Sequence, residues 1–449
     1  MSLRVYSARW VLPISAPTIA HGAVAVEGQR IVWVGPLSNA PEGEHIVLGD
    51  VALLPGLVNA HSHLELTAMR GFLENLSFRP WILRLTQSRE AVMTPEWNAA
   101  SARVGIAEGL LAGITTFGDV SDAGTSLNAM RDMGTRGIIF QEVFGPSPAQ
   151  CGGALAGLRT KVERLRRHET ELVRVGVSPH APYTVSDDLF RATAAFAREE
   201  SLPLTVHIAE SEAELELVRL GRGEFAEALR ARGIAVSARS TTPVQLLYET
   251  GALDVGAILV HAIRTNRQDH DLMVSSGSRV VHCPASSAKL GHGIAPVLEM
   301  LERGIAVGLG SDSVASNNRM DVLDEGRLAS LLQRARVQDP CVLPARIVLE
   351  LATLGGARAL GMEGDIGSLE AGKAADLVAF PLHDLGDVPV YAPEDALVYG
   401  AAGRRARLVT VAGRELVRDG ALVAGVGDDV ATVREASAAL AAFVRAAAE

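Results

Sequence analysis

Only three cysteines, Cys151, Cys283 and Cys341, occur in 449 residues, and no two of them stand as C-x-x-C. So small a number, so widely spaced, excludes a disulfide framework. It also excludes a zinc site built on a P-C-x-x-C segment. Basic residues are outnumbered, 42 against 52 acidic, and a net charge of −10 disfavours a surface that holds nucleic acid through its phosphates. No stretch reaches the roughly 18 apolar residues needed to cross a bilayer. The opening MSLRVYSARWVLP also lacks the apolar core and small-residue cleavage site of a secretory signal. A cytoplasmic protein without membrane or nucleic-acid partners is the expectation. What is abundant is apolar surface: 48% hydrophobic residues with 21% charged and 44 glycines describe a folded globular chain. At roughly 150 residues per domain the length suggests about three domains, although two are equally admissible because single α/β barrels exceed about 200 residues.

Between residues 51 and 315, β-rich runs alternate with longer helical patterns, as in βα units around a parallel sheet. Strands are predicted at 53–59, 114–120, 137–144, 172–178, 204–209, 257–262, 279–283 and 306–310. Eight strands fit a closed (β/α)8 barrel, whose catalytic groups gather at the strand C-terminal ends. Residues 187–200 and 212–232 carry apolar side chains at three- and four-residue spacing, so each reads as an amphipathic outer helix. The loop GPSPAQCGGALAG, 145–157, is rich enough in Pro and Gly to be mobile and follows the third strand, beside any active site. Both ends are β-rich: AVAVEGQRIVWVG reads as a hairpin, and GKAADLVAF and ARLVTVAGRELVRDG supply further strands. The economical arrangement is α/β, a small β-sandwich from residues 1–56 and 366–449 with the barrel, 57–365, inserted between. Residues 428–447 read as a closing surface helix.

Seven of the twelve histidines fall at or near strand C-termini: His61, His63, His180, His207, His261, His282 and, in a following loop, His292. His21, His45, His168, His270 and His383 fall in turns or charged stretches and read as exposed polar residues. In LLPGLVNAHSHLE, period-two alternation turns His61 and His63 to the same side, where two imidazoles suit zinc, iron or nickel. His207 ends LTVHIAE, and Asp312 follows the eighth strand in AVGLGSDS. Three imidazoles and one carboxylate from three strand ends make a mononuclear set with room for a water. Glu210, three residues past His207, reaches such a water without binding the ion, the position of a general acid/base; an ordinary glutamate at a helix N-terminus is the other reading. His261 either holds the attacking hydroxide or is structural, and His282 reads as a packing residue.

These motifs resemble the amidohydrolase superfamily, in its deaminase and chlorohydrolase branch, over nearly the whole chain. PGLVNAHSHLE looks like the first-strand motif, HIAE like the fifth-strand His-x-x-Glu, and GLGSDSVASNNRMDVLDE, with Ser313, Asn317 and Asn318, like the eighth-strand signature. The resemblance implies one divalent ion, zinc ahead of iron, held by His61, His63, His207 and Asp312. It further implies Glu210 as proton shuttle and His261 as the residue positioning the water. VSPHAPYTVS resembles a segment of adenosine-type deaminases that places His180 in the pocket, and Glu90 falls where those enzymes bind ribose. NAHSHLELTAMRGF with WILRLTQSRE is similar to aminodeoxyfutalosine deaminases and to the thiomethyladenosine and adenosylhomocysteine deaminases. The chain departs from the family at the seventh strand, where HCPASSAKLGHG has Ser287 in place of an asparagine. No fourth-strand lysine is present, which disfavours the carbamylated binuclear subtype.

The implied reaction is hydrolytic release of ammonia from an adenine-containing nucleoside, with Glu210, His261 and Asp312 as the catalytic set. A triazine or pterin aminohydrolase or chlorohydrolase keeps the same ion but has no use for a ribose-binding Glu90. A catalytically silent metal-binding homologue is the third reading. The expected partner is a small heterocyclic molecule, and a homo-oligomer is an expectation at family level only.

Overall fold

A computed structural model describes residues 3–400, 403 and 405–446. Four strands open the chain: β1 (Arg4–Val11), β2 (Ile19–Glu27), β3 (Arg30–Pro36) and β4 (Glu44–Pro55). Eight more follow: β5 (Leu57–Ser62), β6 (Ile114–Ser121), β7 (Arg136–Val143), β8 (Val173–Pro179), β9 (Thr205–Ile208), β10 (Ile258–His261), β11 (Arg279–His282) and β12 (Val307–Leu309). The last four are β13 (Leu377–Pro381), β14 (Leu408–Val411), β15 (Arg414–Arg418) and β16 (Ala421–Leu422).

Strands β5 to β8 and β9 to β12 form two parallel four-stranded sheets. Single parallel bridges, Val177 to Leu204 and Ser62 to Asp312, join these two sheets at both edges into the eight-stranded barrel. Every residue of β6 and β7 is buried, as expected of parallel strands covered on both faces. The terminal strands meet as expected. Hydrogen bonding runs unbroken through them in the order β16-β15-β14-β13-β4-β1-β2-β3, a single mixed sheet. Its far end curls back, for Ile31 N–H donates to the Lys373 carbonyl at 2.9 Å, and Tyr6, Val24, Leu53 and Leu377 share an apolar core within the curl. No helix among the described residues is long and apolar enough to cross a membrane.

Several element boundaries correct the sequence reading. The run 53–59 is two strands: residues up to Pro55 belong to the terminal sheet, and the barrel starts at Leu57. Gly56 makes the crossing because a Cβ there would lie 2.2 Å from Thr115 Oγ1. The run 212–232 is two helices, Glu212–Leu220 and Glu224–Ala231, separated by Gly221 and Gly223 at φ +62° and +87°. Within 145–157 only the first residues form a loop, since a helix spans Cys151–Arg166. The closing helix is Gly427–Ala446, and Ala447 lies outside the described residues, as do residues 1, 2, 401, 402, 404, 448 and 449 of the terminal segments.

One buried ion pair ties the barrel to the terminal sheet. Arg136, opening β7, donates from Nε to Asp376 Oδ2 at 2.8 Å and from Nη2 to Oδ1 at 3.2 Å, while Ala412 N–H donates to the same Oδ1 at 2.7 Å. Arg136→Leu strands a carboxylate whose side chain is only 3% exposed. The expected cost is about 3 kcal/mol, read from the urea midpoint. A loss under about 1 kcal/mol, the scale of an exposed pair, would mean the carboxylate is solvated there.

Candidate active site

Barrel closure brings the chemistry together. The Asp312 N–H donates to the His61 carbonyl at 3.0 Å, so the ends of the first and last barrel strands share the rim. From there Asp312 Oδ1 lies 3.5 Å from His61 Nε2 and 3.6 Å from His63 Nε2, and His63 Nε2 lies 3.2 Å from His207 Nε2. His207 Nδ1 donates to the His180 carbonyl at 3.1 Å, which leaves the lone pair on Nε2. His61 Nε2 is buried with no hydrogen-bond partner among the described residues. Burial also strips the rings of protons, pushing His63 down to about 3 and His207 to about 4, with His61 lowered too. Burial alone would raise Asp312, but the nearby rings of His61, His261 and His63 hold it well below the usual carboxylate range. Neutral imidazoles with converging lone pairs beside an ionised carboxylate fit a divalent cation. His261 belongs to the cluster as well, its ring nitrogen within 4.8 Å of those of His61 and His207.

The surrounding backbone is shaped for this convergence. Asp312 at φ +56°, His261 at +75° and Ala209 at +50° are non-glycine residues in left-handed conformation at three strand ends of one sheet, each costing of the order of 1–3 kcal/mol. Hydrogen bonds hold them. Asp312 Oδ2 accepts from Ser286 Oγ at 2.5 Å and Ser316 Oγ at 3.1 Å, and Oδ1 accepts from Ser313 N–H at 2.7 Å. Glu325, on the helix Val322–Val337, accepts from Asn317 Nδ2 and the Ala285 N–H, tying the two serine-bearing segments together. On β6, Asp119 accepts from Leu64 N–H at 2.7 Å and Ser62 Oγ at 3.0 Å, bracing the strand end that carries the histidine pair.

Glu210 stands just before Ser211, whose hydroxyl caps the helix Glu212–Leu220. The Ala209 and Glu210 N–H groups both donate to the Glu214 carboxylate, at 2.9 and 2.8 Å, so the turn is fixed from beneath. Glu210 Oε1 lies 3.6 Å from His261 Nε2 and 3.5 Å from His292 Nε2. Burial, with Asp312 and Glu214 adding to it, raises Glu210 well above the ordinary glutamate range.

A cavity of about 430 Å³ opens over these groups, its walls including Phe78, Trp81, Leu85, Phe144 and Tyr183. His180 and Glu90 both line it; His180 Nδ1 is 2.8 Å from Thr184 Oγ1, and Glu90 sits on the exposed side of the helix Phe78–Val92. Ser287 turns away, donating to the Cys283 carbonyl at 2.8 Å, and Asn318 donates to Glu74 Oε1, leaving Asp312 to Ser286. His282 is buried, and neither of its nitrogens has a hydrogen-bond partner among the described residues. His270 corrects the reading of exposed histidines: it is 3% exposed and bonded to Thr265 Oγ1 at 3.0 Å. His21, His45, His168 and His383 are exposed. The sequence reading missed Glu142 and Arg89, which line the cavity, and Asp119; the one legible signal was an acidic residue inside an apolar buried strand.

A sequence model of the amidohydrolase family matches residues 52–416, four-fifths of the chain and all of the barrel. The chain belongs to the amidohydrolase family. As an amidohydrolase it is a metal-dependent hydrolase, and the described residues include a His/Asp cluster that could hold an ion. It is 37% identical over 415 residues, 90% of this chain and 89% of the other, to a 5-methylthioadenosine/S-adenosylhomocysteine deaminase of Nitratidesulfovibrio vulgaris. An adenosine deaminase from Xanthomonas campestris with bound zinc superposes at a TM-score of 0.87, with 28% identity and 98% of each chain covered. A zinc-complexed atrazine chlorohydrolase from Arthrobacter aurescens superposes at 0.83, with 26% identity over 97% of this amidohydrolase and 100% of that chain.

Proposed function

We propose that this amidohydrolase releases ammonia from an adenine-containing nucleoside of the aminodeoxyfutalosine, adenosylhomocysteine or thiomethyladenosine type. The observation that carries the reading is a buried Glu210, 3.6 Å from His261 Nε2, lining a cavity that also contains a carboxylate, Glu90, and an aromatic wall. Relatives named as deaminases of such nucleosides at 37% identity support it over the triazine reading, whose structural counterpart is 26% identical. His61, His63, His207 and Asp312 would hold one zinc ion, whose chemistry would be to lower the pKa of a water towards ~7.

Glu210 then holds and moves the proton. Its raised pKa suits donation to ring nitrogen N1, which draws electrons from C6 and prepares that carbon for attack. His261, 3.6 Å from Glu210, and Asp312 orient the attacking water, and both are fixed in left-handed backbone that leaves them little freedom. After addition, the Glu210 carboxylate takes the proton from the newly added hydroxyl at C6 and passes it to the amino group, which leaves as ammonia while the C6 oxygen becomes a carbonyl. Glu90 receives the ribose hydroxyls and His180 the base.

A substrate panel decides between the two chemistries. Ammonia should be released from 5'-methylthioadenosine, adenosylhomocysteine or a related adenosine at least about tenfold faster than from melamine or chloride from atrazine, since an unfilled ribose site alone forfeits that much. Hydrolysis of the triazines with none of the nucleosides would overturn the proposal. A protein that binds zinc and turns over neither set would be the silent homologue.

A further inference from the structure

One buried ring touches the working carboxyl and has no part in the chemistry above. His292 stands between Gly291 at φ +72° and Gly293 at φ +106°, in the turn that follows the short helix Pro284–Lys289. Its N–H donates to the Ser287 carbonyl at 2.9 Å, which anchors the turn to the helix it leaves. The residue is only 5% exposed, and its ring meets Phe78 edge-on at a centroid distance of 4.4 Å.

On its other side is Glu210. His292 Nε2 is buried with no hydrogen-bond partner among the described residues, and it lies 3.5 Å from Glu210 Oε1. Buried polar groups are ordinarily satisfied, and this oxygen is the group within reach. The separation is long for a hydrogen bond, but contacts to a catalytic carboxyl commonly tighten when substrate binds. Burial, with Arg264 pushing the same way, lowers the ring to about 4, so it is neutral and carries one N–H. His261 Nε2 is also near Oε1, at 3.6 Å, but that ring belongs to the cluster with His61 and His207 and lines the cavity. His292 does not line it and so stands behind Glu210. An N–H aimed at Oε1 makes that oxygen the acceptor. The carboxyl proton then resides on Oε2, and the same N–H stabilises the carboxylate once the proton has gone to N1.

We infer that His292 is a positioning residue whose Nε2–H donates to Glu210 Oε1, turning the carboxyl so that Oε2 exchanges the proton with substrate. This rests on the deaminase reading and deepens it at the proton shuttle.

The test separates the nitrogen from the ring. His292→Phe keeps an aromatic ring against Phe78 and removes the donor, whereas His292→Gln sets an amide N–H₂ close to where Nε2 stood. With 5'-methylthioadenosine and the zinc-loaded enzyme, the Phe variant should lose about tenfold in kcat with KM within about twofold of wild type. The Gln variant should recover to within about threefold of wild type. An unchanged kcat in a folded Phe variant overturns the assignment. So does an effect confined to KM, and so does a folded Gln variant as slow as Phe. The ring itself gives a readout without turnover: long-range ¹H–¹⁵N spectra of the zinc-loaded wild type should show the His292 proton on Nε2, the ring being identified by its absence from either variant. A proton on Nδ1 overturns the assignment. Failure of every adenine nucleoside to release ammonia would instead sink the deaminase reading itself, and the ring spectrum would still decide the contact.

Discussion

Glu210→Gln is expected to lower kcat/KM by about 10²- to 10⁴-fold while leaving ion content and thermal stability near wild type. The amide is isosteric and cannot release or take up the proton that N1 and the departing amine require. The fold around it should hold, because the turn is fixed by other groups: Glu214 takes the Ala209 and Glu210 N–H groups, and Ser211 caps the next helix. Both kcat and kcat/KM should fall together, the pattern of an interaction made only in the transition state. Glu214→Gln provides the contrast. Its amide sets an N–H₂ against one of two backbone N–H donors, so it should shift Glu210 and cost stability as well as rate. Full turnover in Glu210→Gln would remove Glu210 from the mechanism.

The residues that sequence reading found are those whose spacing is tied to strand ends. His61 and His63 alternate on one strand, His207 and Glu210 straddle a strand-to-helix turn, and Asp312 follows an apolar run, so period and position sufficed. Glu142 was invisible for the opposite reason. It lies in a run whose other members are apolar or paired, and only barrel closure reveals that its carboxyl faces the cavity. Arg89 sits on a helix with little sequence contrast between faces, indistinguishable from a solvated charge until Asp122 is seen opposite.

Backbone misreadings have similar causes. The helix Cys151–Arg166 starts in a glycine-rich stretch of poor propensity, but Leu158, Val162 and Leu165 bury one stripe and tertiary packing overrides the glycines. Gly152, Gly153 and Gly157 have open space where a Cβ would stand, so nothing in the fold requires them. Gly221 acts the other way. Its positive φ and the Ser237 backbone 2.5 Å from any Cβ break what the apolar spacing presented as one helix.

Removing the ion should abolish ammonia release, and added zinc should restore it. The cluster's own side chains leave it poorly satisfied: His63 and His207 point nitrogens at each other across 3.2 Å, and His61 Nε2 has no partner among the described residues. A cation answers all of these at once, so its binding is coupled to stability. At a free concentration a hundredfold above its Kd it adds about 2.7 kcal/mol, seen as a higher Tm in zinc than in chelator. Asp312→Asn removes the anionic donor while keeping its shape, and ion affinity should fall at least ~100-fold, beyond the 10–100-fold typical of losing a supporting contact. Ser286→Ala should fall inside that supporting range, because Ser316 still donates to Asp312 Oδ2. If Asp312→Asn retained its ion while Ser286→Ala lost it, the seventh-strand serine and not the eighth-strand aspartate would be the ligand.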